Sequence, residues 1–220
     1  MATADINVPY YAARAKEYDI TSGYQRPEAA AALSPIRARY QLAFQERDVL
    51  ELACGTGYWT KAVAVTARSV LATDVNPAVI AVAREKLASR DNVRFQVADA
   101  YSLKEITGRF TGAFAQFWWS HVTRQRLPEF LNALHSKLEA GSPVMFMDGL
   151  GSRFRRGRRV DDTGDILEER RLRDGTRFEI IKNFPTAGEM KELLSGCADE
   201  VSFREYPFPG CWIVSYRTKR

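Results

Sequence analysis

The segment Val49-Leu50-Glu51-Leu52-Ala53-Cys54-Gly55-Thr56-Gly57, with Asp74 nineteen residues past Gly55, constrains this chain more than any other stretch. An apolar run, a glycine-rich turn and the helix-compatible residues Tyr58 to Ala67 read as strand, turn, helix. Glycines let backbone approach a ligand closely, and an acid ending the next strand can accept hydrogen bonds from ribose hydroxyls, so a nucleoside ligand is implied. A dinucleotide site needs a third glycine to bring the helix N-terminus onto a pyrophosphate; that position is Thr60. The Glu51 carboxylate, just before the turn, would repel a pyrophosphate but suits a ligand carrying an ammonium and a sulfonium.

Further strands are read at Val70 to Ala72, Val93 to Val97, Ala113 to Trp118 and Val144 to Met147. Between them, Asn76-Pro77 opens a helix by side-chain cap and pre-set first turn, and Leu127, Phe130, Leu131, Leu134 and Leu138 form a helical stripe ending at Gly141. Strands alternating with helices at this spacing predict a parallel sheet covered on both faces. After Leu150 the rhythm changes. Ile166 to Arg173 and Thr176 to Asn183 read as a hairpin turned at Asp174-Gly175, and Thr186 with Glu189 as a capping box. Val201 to Tyr206 and Cys211 to Tyr216 are joined so briefly that they must be antiparallel. Helices expected at Tyr10 to Asp19 and Pro27 to Gln45 precede the sheet and must cover its carboxyl edge or a face.

With 220 residues and 45% hydrophobic content, one substantial core is expected. We therefore read 1–220 as a single domain, with a helical cap at 1–46, a ligand-binding core at 47–150, an inserted hairpin at 151–185 and a closing helix and strand pair at 186–220. The polar, acidic start lacks a basic and apolar leader, and no run approaches a membrane span, so a cytoplasmic protein without membrane partners is expected. Cys54, Cys197 and Cys211 have neither disulfide-framework nor metal spacing, so reduced thiols and no metal are expected. The net charge of +5 is spread thinly, except for Arg153, Arg155, Arg156, Arg158 and Arg159.

Over Arg47 to Asp148 the sequence resembles the class I S-adenosylmethionine-dependent methyltransferases. Glu51 to Gly57 looks like the family's first motif, with Ala53 where its first glycine usually stands; Asp74 looks like its ribose-binding acid, and Ala98-Asp99-Ala100 like the acidic motif that meets the adenine amine. The resemblance implies a Rossmann-like α/β fold: a seven-stranded, mostly parallel sheet with an antiparallel C-terminal strand, helices on both faces, the helical cap and the inserted hairpin. It also implies that S-adenosylmethionine is the cofactor and S-adenosylhomocysteine the product. Val75 would then pack on adenine beside Asp99 and Ala100, Phe117 and Trp118 would lie by the methionine part, and Tyr11 and Tyr18 would close over the cofactor. Glu51, Ala53, Gly55, Gly57 and Asp74 complete the expected cofactor set.

On the acceptor side, one of Trp118 and Trp119 is expected in the core and the other on the active-site wall, because strand neighbours point to opposite faces. Trp119, His121, Asp148 and Arg153 are the candidate substrate contacts. His121, just beyond the fourth strand, is also the candidate general base, since an imidazole titrates near neutrality. His135 receives no role. The expected reaction is methyl transfer to N, O or C of a small, planar metabolite by in-line displacement, in a monomer or homodimer, with no nucleic-acid partner. Rival readings are a nicotinamide-dependent oxidoreductase, a nucleic-acid methyltransferase, for which the Asp/Asn-Pro-Pro-aromatic signature is missing, and a non-catalytic relative of the fold.

Overall fold

In the computed structural model, which describes residues 6–22, 26–151 and 157–219, the apolar runs become β1 (Asp48–Leu52), β2 (Ser69–Asp74), β3 (Val93–Val97), β4 (Gly112–Gln116) and β5 (Pro143–Gly149). Three short strands follow, β6 (Arg158–Val160), β7 (Ile166–Arg171) and β8 (Arg177–Ile181), then the long pair β9 (Ala198–Tyr206) and β10 (Cys211–Thr218). The large sheet runs β3-β2-β1-β4-β5-β10-β9. Its first five strands are parallel, and β10 is antiparallel to both β5 and β9. This is the seven-stranded α/β architecture expected from the sequence.

Alternation along each strand divides the core between the two faces. Leu50, Ala115, Phe146 and Trp212 face one side with Phe130, Leu134 and Met190, carried by α6 (Leu127–His135) and α7 (Ala187–Leu194), numbered in chain order. Val49, Phe114, Met145 and Ile213 face the other with Ile36, Tyr40, Trp59 and Ile80. Those residues sit on α3 (Pro27–Phe44), α4 (Tyr58–Val63) and α5 (Pro77–Lys86). At the front, α1 (Asn7–Arg14) and α2 (Tyr18–Ser22) flank a 3-10 turn and lie over the carboxyl ends of the strands.

The local signals act as their chemistry requires. The Asn76 side chain accepts from Ala78 N at 3.0 Å, with Pro77 opening α5. Thr186 and Glu189 form the capping box of α7. Gly175, at φ +93°, turns the β7–β8 hairpin, and Asp174 accepts from Thr176 N at 2.9 Å. Two elements differ from expectation. β4 stops at Gln116 because Phe117 takes φ +54°, so Trp118 and Trp119 lie beyond the strand, Trp119 opening a 3-10 turn through His121. The insertion is a three-stranded sheet, since β6 adds to the hairpin through an Arg158–Glu168 ion pair buried at both ends. No helix among the described residues is long and apolar enough to cross a membrane.

Candidate active site

Parallel pairing of β1 with β2 and β4 brings the ends of three strands together, and a cavity of about 260 Å³ opens there. Ala53, Gly55, Asp74, Val75, Asp99 and Ala100 line it. Tyr11, Tyr18, Phe117, Trp118 and His121 line it as well.

The turn after β1 is built on positive φ: Ala53 at +50°, Gly55 at +54° and Gly57 at +79°. The position where the family pattern has glycine thus keeps a left-handed backbone even with alanine. The Asp74 carboxylate holds the turn in place, Oδ2 accepting from Gly55 N at 3.0 Å and Oδ1 from Asn76 N at 2.9 Å. Burial pushes the Asp74 carboxyl up to about 6 despite these donors. Beneath the turn, Glu51 is almost wholly buried, and burial pushes its carboxyl up to about 8, with the Asp74 charge pushing the same way. An acid held neutral at such a place ionises readily once a cation arrives.

Also on the cavity lining, the Tyr11 hydroxyl lies 2.7 Å from His121 Nε2, and His121 Nδ1 lies 2.7 Å from the Ile181 carbonyl. A carbonyl only accepts, so Nδ1 carries the proton and Nε2 accepts from Tyr11. Burial, reinforced by the Lys182 charge, pushes the imidazole down to about 3, so it is neutral at physiological pH. Behind it, Asp148 is fully buried: Oδ1 meets Lys182 Nζ at 2.9 Å, and Oδ2 accepts from Ser120 N at 3.0 Å. Burial alone would raise the Asp148 carboxyl, but Lys182, His121 and Ser120 outweigh it and hold it below the ordinary range.

Four expected site residues stand elsewhere. Trp119 does not wall the cavity; its ring packs 5.0 Å from Phe146 and 6.3 Å from Trp212 in the core, while Trp118 takes the wall. Asp148 is spent on Lys182 and Ser120 and does not line the cavity. Gly57 lies off it too, and a Cβ there would stand 2.9 Å from Leu87 Cδ1 and 3.1 Å from Ala83 Cβ, so its role is close packing of the turn on α5. Glu51 sits behind the wall. Arg153, with Arg155 and Arg156, lies outside the described residues. Of the same cluster, Arg158 pairs with Glu168 at 2.7 Å and Arg159 with Glu179 at 2.8 Å. His135 has a partner unseen in the sequence, Tyr216 OH at 2.7 Å from Nε2.

Sequence reasoning missed Asn7, Thr56, Asn76, Tyr101, Gln116 and Arg126 as lining residues. Gln116 carried a signal, a polar residue ending an otherwise apolar strand. Arg126 carried none: its guanidinium lies 3.3 Å from the Tyr101 ring centroid, a contact made across sequence.

Fold and site together define a nucleoside-binding α/β protein with an antiparallel strand closing its sheet. A family profile described as a methyltransferase domain matches residues 49–141. Phosphoethanolamine N-methyltransferase 1 of Caenorhabditis elegans is 31% identical over 85 residues, spanning 39% of this chain and 18% of that protein. The structure of a DhpI–SAH complex is similar along 97% of this chain and 96% of its own, with 32% identity and a TM-score of 0.76. A DhpI–SAM–HEP complex shows 29% identity and a TM-score of 0.78 over 99% of this chain and 100% of its own. The chain belongs to the S-adenosylmethionine-dependent methyltransferases with a Rossmann-like fold, and S-adenosylmethionine is its cofactor. The cavity fits that group: nothing stands within 4 Å of where a Gly55 Cβ would be, and Asn76 Nδ2 and Trp118 Nε1, on lining residues, are buried without a hydrogen-bond partner among the described residues.

Proposed function

We propose that the protein methylates N, O or C of a small, flat, partly anionic metabolite held in the cavity beside Tyr11 and His121. The observation that carries this reading is one cavity lined both by Gly55 and Asp74 and by Tyr11 and His121. On it, Asp74 accepts from the ribose hydroxyls, Val75 and Ala100 flank the adenine, and Asp99 accepts from its amine. Ala53 and Gly55 border the cofactor along the turn, and Tyr18, Phe117 and Trp118 enclose its methionine part. Glu51, ionised by the arriving positive charge, balances it from beneath. Bound S-adenosylmethionine supplies an electrophilic methyl group on a sulfonium. What the chain adds is alignment and exclusion of water, worth effective molarities of about 10⁵ to 10⁸ M in well-oriented systems.

Tyr11 is the group that meets the acceptor, and His121 holds the Tyr11 hydroxyl through Nε2. An imidazole pushed down to about 3 cannot strip a proton from an unreacted alcohol or amine. It can take one through Tyr11 from an oxygen made strongly acidic as the new bond forms, so the pair orients first and accepts the proton late. The DhpI–SAM–HEP complex holds one component beyond DhpI and SAM, in a chain matched along its whole length, which supports an acceptor of molecular size. Nucleic acid is not the acceptor we propose, because Arg158 and Arg159 are engaged by Glu168 and Glu179. Incubating the protein with a metabolite extract and deuteromethyl S-adenosylmethionine tests the reading by mass spectrometry. A labelled small product supports it; label found only in added nucleic acid or protein overturns it.

A further inference from the structure

Residues 7 and 11 stand one helical turn apart on the same face of α1, and both engage His121. Tyr11 reaches the ring through its hydroxyl. Asn7, almost wholly buried, reaches the backbone: Nδ2 donates to the His121 carbonyl at 3.1 Å, and Oδ1 accepts from Ile181 N at 2.9 Å. These partners fix the amide's orientation, since a carbonyl needs the NH₂ end and an N–H needs the oxygen. The other face of the same contact is the His121 ring, whose Nδ1 lies 2.7 Å from the Ile181 carbonyl. His121 and Ile181, 60 residues apart, are therefore joined twice, once through the Asn7 amide and once through the imidazole.

We propose that Asn7 is a positioning residue for methyl transfer: by clamping the His121 carbonyl to the Ile181 amide, it fixes the imidazole in the Nδ1–H tautomer and presents Nε2 to the Tyr11 hydroxyl. This rests on the reading that the Tyr11–His121 pair faces the acceptor. The consequence is chemical, because a ring in the other tautomer would point an N–H at Tyr11, turn the tyrosine oxygen into an acceptor, and leave the Ile181 carbonyl facing a lone pair. The clamp sets the choice by holding that carbonyl against Nδ1. Lys182 and Arg170 disfavour the charged form of the ring through their fields and Asp148 favours it. α1 therefore delivers two parts of one device, the hydroxyl that meets the acceptor and the amide that orients the ring behind it.

The test reads the tautomer directly and needs no acceptor. The chain has two histidines, so long-range proton–nitrogen spectra of imidazole-labelled protein give two ring systems, assigned with the His135→Gln variant. Wild type is expected to show a protonated Nδ1 and an unprotonated Nε2 for His121, unchanged between about pH 5 and 8. Asn7→Asp, nearly isosteric but with oxygen set against the His121 carbonyl, is expected to give averaged nitrogen shifts. Tyr11→Phe is expected to keep the protonated Nδ1, because the Ile181 carbonyl remains. A purely structural Asn7 would lower the melting temperature and leave the tautomer in place. That outcome, or an Nε2–H signature in wild type, overturns the proposal. Should Asn7→Asp fail to fold, Asn7→Ser with the same spectra decides in the same way. Failure to find a methylated product would leave the tautomer result standing and count against the acceptor site alone.

Discussion

The two glycines of the turn after β1 should fail in opposite ways when replaced by alanine. At Gly57 the backbone has φ +79°, and an added Cβ meets Leu87 Cδ1 at 2.9 Å and Ala83 Cβ at 3.1 Å, both on the α5 side of the core. The left-handed conformation costs about 1–2 kcal/mol for an L-residue, and forcing a methyl into packed surroundings adds about 1–3 kcal/mol, giving about 2–5 kcal/mol in all. For a chain of this size that lowers the melting temperature by roughly 4 to 20 °C. Gly55 has φ +54° but nothing within 4 Å of the new Cβ, which enters open space on the cavity wall. Its alanine variant should lose only the backbone cost of about 1–2 kcal/mol in stability and at least about tenfold in cofactor affinity. Ala53→Gly, at φ +50°, relieves the same strain while loosening the unfolded chain, so stability should stay within about 1 kcal/mol of wild type. Thermal and urea unfolding, with calorimetric titration of S-adenosylhomocysteine, separate these effects. A Gly57→Ala protein as stable as wild type, or a Gly55→Ala protein with unchanged affinity, would refute the division of labour between the two glycines.

Cofactor binding should release protons between about pH 6 and 8, because burial lifts the Asp74 carboxyl to about 6 and the Glu51 carboxyl to about 8, and a cationic ligand favours both ionised forms. Calorimetry at neutral pH in buffers of different ionisation enthalpy checks this; heats independent of buffer would contradict it. For the empty protein the same raised values mean that these two groups favour the folded state most below their unfolded values near 4, and that this contribution fades as pH rises through about 6 and about 8. Lys182→Met leaves the Asp148 carboxylate buried without its cation and should cost about 3–5 kcal/mol in urea unfolding, part of it recovered by adding Asp148→Asn. Equal stability of the single and double variants would show that the pair is not coupled.

Most of the sheet was legible because its strands carry local signals: apolar runs of fixed length, a cap at Asn76, and a turn at Asp174-Gly175. Gly55 and Asp74 could be placed from the turn and strand end that carry them, while Val75, Asp99 and Ala100 follow only from the family resemblance; all five line the cavity. The misplacements share a cause. Strand alternation governs Trp119 only if β4 continues, but the left-handed Phe117 ends β4 two residues earlier and hands the orientation of Trp118 and Trp119 to a 3-10 turn. β6 is three residues long and rich in arginine, so it has no period to detect; what holds it is pairing with β7 and the Arg158–Glu168 bridge. Asp148 looks available in the sequence because Lys182, its partner, lies 34 residues away on the insertion. Asn7 is invisible there for the same reason, since the groups it joins, the His121 carbonyl and the Ile181 amide, lie 114 and 174 residues away. Long-range polar pairing is the part of a site that one-dimensional pattern does not encode.

The most direct test of the central claim is calorimetric titration of the wild-type and Asp74→Ala proteins with S-adenosylmethionine, S-adenosylhomocysteine and NAD. One equivalent of either adenosyl ligand should bind wild type, NAD should give no heat, and Asp74→Ala should weaken binding about ten- to a hundredfold, the loss of a charge-assisted hydrogen bond of about 1.5–3 kcal/mol. Binding of NAD in place of the adenosyl ligands, or an Asp74→Ala protein that binds S-adenosylmethionine as wild type does, would contradict the account.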